Sequence, residues 1–193
     1  MRATVRSLLA LAACALSGCG VFDALRGGPA ETLVACQGVA LMPVVVSPQA
    51  SDSTRAVAAE LAQYLSQMTG GEFTVTTGDS SRGIVLGSVA DFPAENTGRS
   101  ARALELRKTY DGKEAYLIRT EPERVLLLGA TDLGASHAAF RFLEKLGCRW
   151  LFPAKEWEVV PSRPTVRVAL DVADRPAILA RRIWYGWGFF DRA

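Results

Sequence analysis

An α+β domain, built as one mixed sheet with two helices on one face, is the fold class this sequence predicts. Three observations point there. Two stretches place apolar residues at helical spacing, Arg55–Met68 and Asp132–Leu146. Short β-branched or aliphatic runs lie between and around them, punctuated by glycine, proline and serine. Their order is strand, helix, several strands, helix, strand, which suits a sheet layered against helices.

The first strand is expected in "VALMPVVVSP", Val39–Pro48, a nearly continuous apolar run of the kind buried on both faces. Ser51, Asp52 and Ser53 then offer helix N-caps. In the helix that follows, Val57, Leu61, Tyr64, Leu65 and Met68 share one face, while Arg55, Glu60, Gln63, Ser66 and Gln67 take the other. Gly70 and Gly71 stop it. "FTVTT" (Phe73–Thr77) and "GIVLGSV" (Gly83–Val89) read as strands joined by "GDSSR", and Asp91–Ser100 reads as a polar, irregular stretch. "ALEL", "AYLIRT" and "RVLLLGA" predict three further strands, with Glu121-Pro122-Glu123 as a hairpin turn. The second helix runs from about Asp132 to Leu146, with Ala135, Ala139, Phe142, Leu143 and Leu146 facing inward and His137, Arg141, Glu144 and Lys145 outward. "TVRVALD", Thr165–Asp171, is expected to be the last strand. Phe142, Leu143, Val57 and Leu61 are the predicted core.

The chain has 193 residues, 49% hydrophobic and 22% charged, a profile of folded chains. A net charge of +2, with scattered basic residues, gives no field that points to nucleic acid. The single histidine, His137, excludes a zinc site built on several histidines, and no HExxH or paired CxxC occurs, so no metal or cofactor is implied.

The first nineteen residues read as a targeting segment. Arg2 and Arg6 precede the apolar Leu8–Leu16, which is too short to span a bilayer. Leu16-Ser17-Gly18-Cys19 then resembles a bacterial lipobox, which makes Cys19 the expected lipidated residue and a membrane the expected partner. Gly20 replaces the aspartate that often retains lipoproteins in the inner membrane of Gram-negative bacteria, so that resemblance implies the outer membrane, on its periplasmic or cell-surface side. Residues 20–37 read as a tether and 38–174 as the folded body. Cys36 and Cys148 remain in an oxidising compartment, as a disulfide or as two buried thiols; the sequence leaves both open.

Motifs for catalysis are weak. "GASHA" places Ser136 inside the predicted helix rather than on a strand-to-helix turn, and His137, its neighbour, points about 100° away. "GDSSRG" lacks the GK[ST] ending of a phosphate loop, and "GWGFFD" lacks the third glycine of a dinucleotide fingerprint. Glu156 and Glu158 would share a face as alternate strand residues, but read better as surface glutamates.

The stretch "EAYLIRTEPERVLLLGATDLGASHAAFRFLEKLGCRWL", Glu114–Leu151, resembles the small domain that precedes the catalytic barrel in α-glucuronidases and β-N-acetylhexosaminidases, and more closely the same domain of bacterial glycoside-hydrolase-like proteins. A hairpin leads into a helix and then into "GCRW"; Tyr116, Ile118, Gly129, Gly134, Phe140, Phe142, Leu143, Glu144, Gly147, Arg149 and Trp150 match. The resemblance covers most of Val39–Asp171 and implies a β-hexosaminidase domain 2-like fold with no catalytic residue of its own. It further implies that 175–193, "RPAILARRIWYGWGFFDRA", begins a (β/α)₈ barrel truncated in this chain. Arg182, Trp184, Tyr185 and Trp187 are then candidate carbohydrate contacts at the barrel's catalytic face. Two readings follow. One is the N-terminal, non-catalytic part of a membrane-anchored hydrolase acting in polysaccharide degradation, with its own barrel and an oligosaccharide as partners, the parent protein being the enzyme and this chain alone inactive. The other is a complete glycan- or protein-binding surface lipoprotein without enzymatic activity.

Overall fold

The computed structural model describes residues 28–106 and 112–177. A six-stranded mixed sheet organises them. Its strands are β3 (Val44–Val46), β4 (Val75–Thr77), β5 (Gly83–Ser88), β6 (Tyr116–Glu121), β7 (Arg124–Gly129) and β11 (Asp171–Asp174), in the order β11-β6-β7-β5-β3-β4. β4, β3, β5 and β7 run parallel, while β6 pairs antiparallel with both β7 and β11. Two small sheets flank it. One joins β1 (Thr32–Cys36) to β2 (Val39–Ala40) and β10 (Val166–Val168); the other pairs β8 (Arg149–Trp150) with β9 (Glu158–Val159).

Both predicted helices form, and both lie on the same face. Helix α1 spans Asp52–Thr69 and starts at Ser51, whose hydroxyl accepts the Thr54 N–H at 3.1 Å, satisfying an otherwise orphaned donor. Helix α3 spans Asp132–Leu146 and ends at Gly147, whose φ of 105° is one that side chains rarely adopt. Leu61, Leu65 and Met68 of α1 join Phe142, Leu143 and Leu146 of α3 over Val44, Val46, Ile84, Leu86, Ile118 and Leu127 of the sheet. Of the four predicted core residues, Leu61, Phe142 and Leu143 are buried, while Val57 is half-buried against the same cluster.

The turn from β7 into α3 is unusually tight, and two glycines make it so. A Cβ on Gly129 would stand 1.9 Å from the Ala135 backbone nitrogen, and one on Gly134 2.3 Å from the Ala115 carbonyl oxygen. With no side chain at either position, the first turn of α3 presses onto the strand end. The Ala130 N–H donates to Ala115 O at 2.9 Å and the Thr131 hydroxyl to Lys113 O at 2.7 Å, which fixes the approach to β6 as well.

Four expectations are corrected. Thr32–Cys36, within the segment read as tether, is strand β1, with Val34 and Ala35 fully buried and paired to β10 and β2. Val39–Pro48 is two strands in different sheets, divided at Leu41–Pro43, where proline has no N–H for a ladder. "ALEL" is not a strand: Gly98–Ala103 forms a short helix, α2, and Leu104 caps it. Thr165–Asp171 likewise divides into β10 and β11, because Leu170 exchanges hydrogen bonds with Thr120 (2.8 and 2.9 Å) and hands the chain from one sheet to the other.

The Asp91–Ser100 stretch covers the reverse face of the sheet. Phe92 and Leu104 pack there on Val85, Leu117, Leu126 and Leu128. A polar clasp holds the cover down: Arg124 donates to Glu95 and Glu121 at 2.7 Å each and to the Ser80 carbonyl at 2.6 Å. The Asp91 carboxylate accepts from the Ser88 N–H and hydroxyl at 2.7 and 2.8 Å.

No Cys36–Cys148 disulfide forms. Cys148 is a free thiol, fully buried beneath the end of α3, and burial pushes its pKa up.

Candidate functional site

The candidate site is a cleft of about 510 Å³ lined by Tyr116 of β6, Asp174 of β11, Pro176 beyond it, and Ser136, His137, Phe140, Arg141 and Glu144 of α3. Register brings the strand residues together: Tyr116 stands directly opposite Asp174 in the β6–β11 ladder. The Tyr116 hydroxyl donates to the Asp174 carboxylate at 3.3 Å. Burial, then the charge of Asp174, hold the Tyr116 phenol above its ordinary pKa, so it stays a donor at neutral pH. The α3 residues follow helical spacing. Positions 137, 141 and 144 repeat at four and three, which stacks their side chains on one strip, and Arg141 bridges to Glu144 at 2.7 Å. Phe140 is half-buried and meets Trp150 edge-on, ring centroids 5.4 Å apart. Chemically the cleft holds two carboxylates, one guanidinium, one imidazole, two hydroxyls and the phenyl ring of Phe140, a set suited to binding a polyhydroxylated ligand.

A second cavity of about 460 Å³ lies along the β8–β9 hairpin, lined by Trp150–Lys155 and Glu158. Trp150 donates its indole N–H to the Tyr64 hydroxyl at 2.8 Å, and that hydroxyl donates to Glu158 at 3.1 Å. The hairpin also leaves three large apolar side chains uncovered: Leu151 is 66% exposed, Phe152 65% and Trp157 53%.

Ser136 and His137 both lie within α3, as expected, and both line the cleft. Glu156 and Glu158 do not alternate on one strand: Glu156 sits on the exposed 3₁₀ turn Lys155–Trp157, and Glu158 begins β9, bonded to Tyr64. Cys19, Arg182, Trp184, Tyr185 and Trp187 lie outside the described residues. Among the described residues, no group of three or more side chains is placed to hold a metal ion, and no helix is long and apolar enough to cross a membrane. Asp174 and Tyr116 were not legible as a site, because their meeting depends on β11, a strand the sequence reading did not separate. The signal for Arg141 and Glu144 was present as the polar arc of α3.

No protein-family model matches the chain, and no curated protein matches it in sequence. Among solved structures it is similar to a family GH115 4-O-methyl-α-glucuronidase with specificity for decorated arabinogalactans, with a TM-score of 0.48 and 14% identity over 69% of this chain and 17% of that one. It is also similar to the GH20 β-N-acetylhexosaminidase of Streptomyces coelicolor, with a TM-score of 0.47 and 21% identity over 78% and 24% of the two chains. A third is the N-acetyl-β-hexosaminidase of Streptomyces plicatus, with a TM-score of 0.44 and 19% identity over 77% and 24%. The chain thus spans 17% to 24% of the length of these glycoside hydrolases, and the likeness is in the course of the backbone.

Proposed function

We propose that this chain is the N-terminal, non-catalytic part of a membrane-anchored carbohydrate-active hydrolase, of α-glucuronidase or β-N-acetylhexosaminidase type, that degrades polysaccharide. One observation carries the reading. The hairpin-to-helix motif of Glu114–Leu151 folds as one unit, and its two glycines stand where a side chain would strike backbone. The motif therefore marks a particular packing rather than a chance run of residues. The uncovered apolar hairpin at Leu151, Phe152 and Trp157 adds support, since a patch of this kind suits a surface that packs against a further domain. On this reading Cys19 carries the lipid anchor, in the outer membrane, and 175–193 leads into a catalytic barrel. Trp184, Tyr185, Trp187 and Arg182 then sit at its sugar-binding face.

The test is a panel of aryl-glycosides, glucuronides and N-acetylhexosaminides included, run against this chain and against any longer reading frame of the same gene. Turnover by the longer protein and not by this chain is expected. Turnover by this chain that disappears in Glu156→Gln or Glu158→Gln overturns the non-catalytic reading. Cys19→Ala is expected to move the protein out of the membrane fraction, and an unchanged fraction refutes the anchor.

A further inference from the structure

We infer that the cleft between β6, β11 and α3 is a binding subsite for one pyranose unit of a glycan, neutral or N-acetylated rather than a uronic acid. The choice of a sugar rests on the carbohydrate-active reading above; the choice among sugars rests on the cleft. Its volume of about 510 Å³ lies within the range of small-ligand sites, roughly 300–1,000 Å³. Its two carboxylates are partnered before any ligand arrives: Asp174 accepts from the Tyr116 hydroxyl, and Glu144 accepts from Arg141. Groups fixed in this way lose little side-chain freedom on binding. Each carboxylate keeps free lone pairs, and a carboxylate accepting a sugar hydroxyl makes a charge-assisted bond. Ser136 and His137 supply further donors and acceptors on the same wall. Phe140, held edge-on by Trp150, gives the cleft a carbon surface for the C–H bonds of a ring.

Charge selects the sugar. Two carboxylates, Glu144 and Asp174, line the cleft against one guanidinium, and one N–H group of that Arg141 is already bonded to Glu144. A uronic acid would bring its carboxylate against Asp174, and a like charge at close range is repelled. A neutral or N-acetylated ring meets no such opposition.

The experiment is a nuclear magnetic resonance titration of the full chain, isotopically labelled, with methyl glucoside, N-acetylglucosamine and glucuronic acid. Saturable shifts are expected at Ser136, His137, Phe140 and Asp174 with the first two sugars, and binding at least about tenfold weaker for glucuronic acid. Asp174→Asn is expected to narrow that gap while the melting temperature holds. Should that variant not fold, the wild-type ranking and shift map decide by themselves. Shifts that never saturate at the cleft, shifts confined to other residues, or glucuronic acid binding as tightly as glucose each overturn the inference. The aryl-glycoside panel is read separately. Turnover by the longer protein with a silent cleft sinks this subsite and leaves the proposed function standing.

Discussion

The two faces of the central sheet are covered in different ways. On one, two regular helices bury Leu61, Leu65, Phe142 and Leu143 against alternate strand residues. On the other, an irregular segment with a 3₁₀ turn and a two-turn helix is pinned by Phe92 and Leu104 and by the Arg124–Glu95–Glu121 clasp. The helical face draws its stability from a wide apolar contact that repeats every turn. The reverse face has two anchors and a few ion pairs, so its stability is concentrated in single residues. Such a cover is expected to open locally before the sheet and helices unfold.

Phe142→Ala breaks the helical face at its largest fully buried side chain. It is expected to cost about 3–5 kcal/mol, the range for emptying a ring-sized site in a core. Chemical denaturation measures it, and a loss below about 1 kcal/mol would contradict the register of α3. Phe92→Ala breaks the other cover. Phe92 is 5% exposed and belongs to the smaller cluster, so about 3 kcal/mol is expected, the low end of the range for an emptied ring-sized site, because the loop can settle into part of the cavity. Hydrogen exchange distinguishes the two variants. Phe92→Ala should speed exchange over 89–104 ahead of α1 and α3, and uniform acceleration would show that the two faces unfold as one.

Arg124→Met sharpens the same contrast with less force. The Arg124 side chain is 20% exposed and Glu95 14%, so the pair lies between a solvated ion pair and a buried one. About 1–2 kcal/mol is expected, below the cost of breaking a fully buried pair and above that of a surface pair. The double variant Arg124→Met, Glu95→Gln should cost less than the sum of its parts, since the two side chains share one interaction. Strict additivity would show that the clasp is not a coupled unit.

The helical face was legible from sequence for the same reason that it is stable. Its apolar residues recur with the helical period, and the ends of α1 and α3 carry Ser51 and Gly147, the residue types that end-geometry demands. The reverse cover has no period to read. Phe92 and Leu104 are twelve residues apart, and between them the chain is polar because ion pairs and turns hold it down. Strand divisions were missed where the chain leaves one sheet for another, at Pro43 and at Leu170. Composition is apolar on both sides of such a crossing, and only the partner strand tells the two halves apart. The cleft was half legible. Helical spacing placed His137, Arg141 and Glu144 on one strip, but Tyr116 and Asp174 are 58 residues apart and meet through strand pairing alone.

Alkaline pH tests the comparison most gently. Tyr64 and Tyr116 both belong to the cluster beneath the two helices, and each has its pKa raised from the ordinary 10.0, first of all by burial. For Tyr64 the Trp150 hydrogen bond opposes that rise and Glu158 adds to it. Cys148, in the same cluster, is raised by burial from 9.0. A group whose pKa is higher folded than unfolded contributes stability that is present in full below the unfolded value. That contribution is lost as pH climbs through the folded value. The helical face should therefore weaken as pH passes 9.0, where the Cys148 thiol is half ionised in the unfolded chain, and further as pH passes 10.0, where the two tyrosines follow. The clasp on the reverse face contains neither a thiol nor a phenol, so it should hold while the helical face loosens. Denaturation midpoints followed from about pH 8 to about pH 11 should fall, and Tyr64→Phe and Tyr116→Phe should each flatten the fall. Equal slopes in the wild type and both variants would place the alkaline loss elsewhere, and exchange rising first over 89–104 would reverse the order of the two faces.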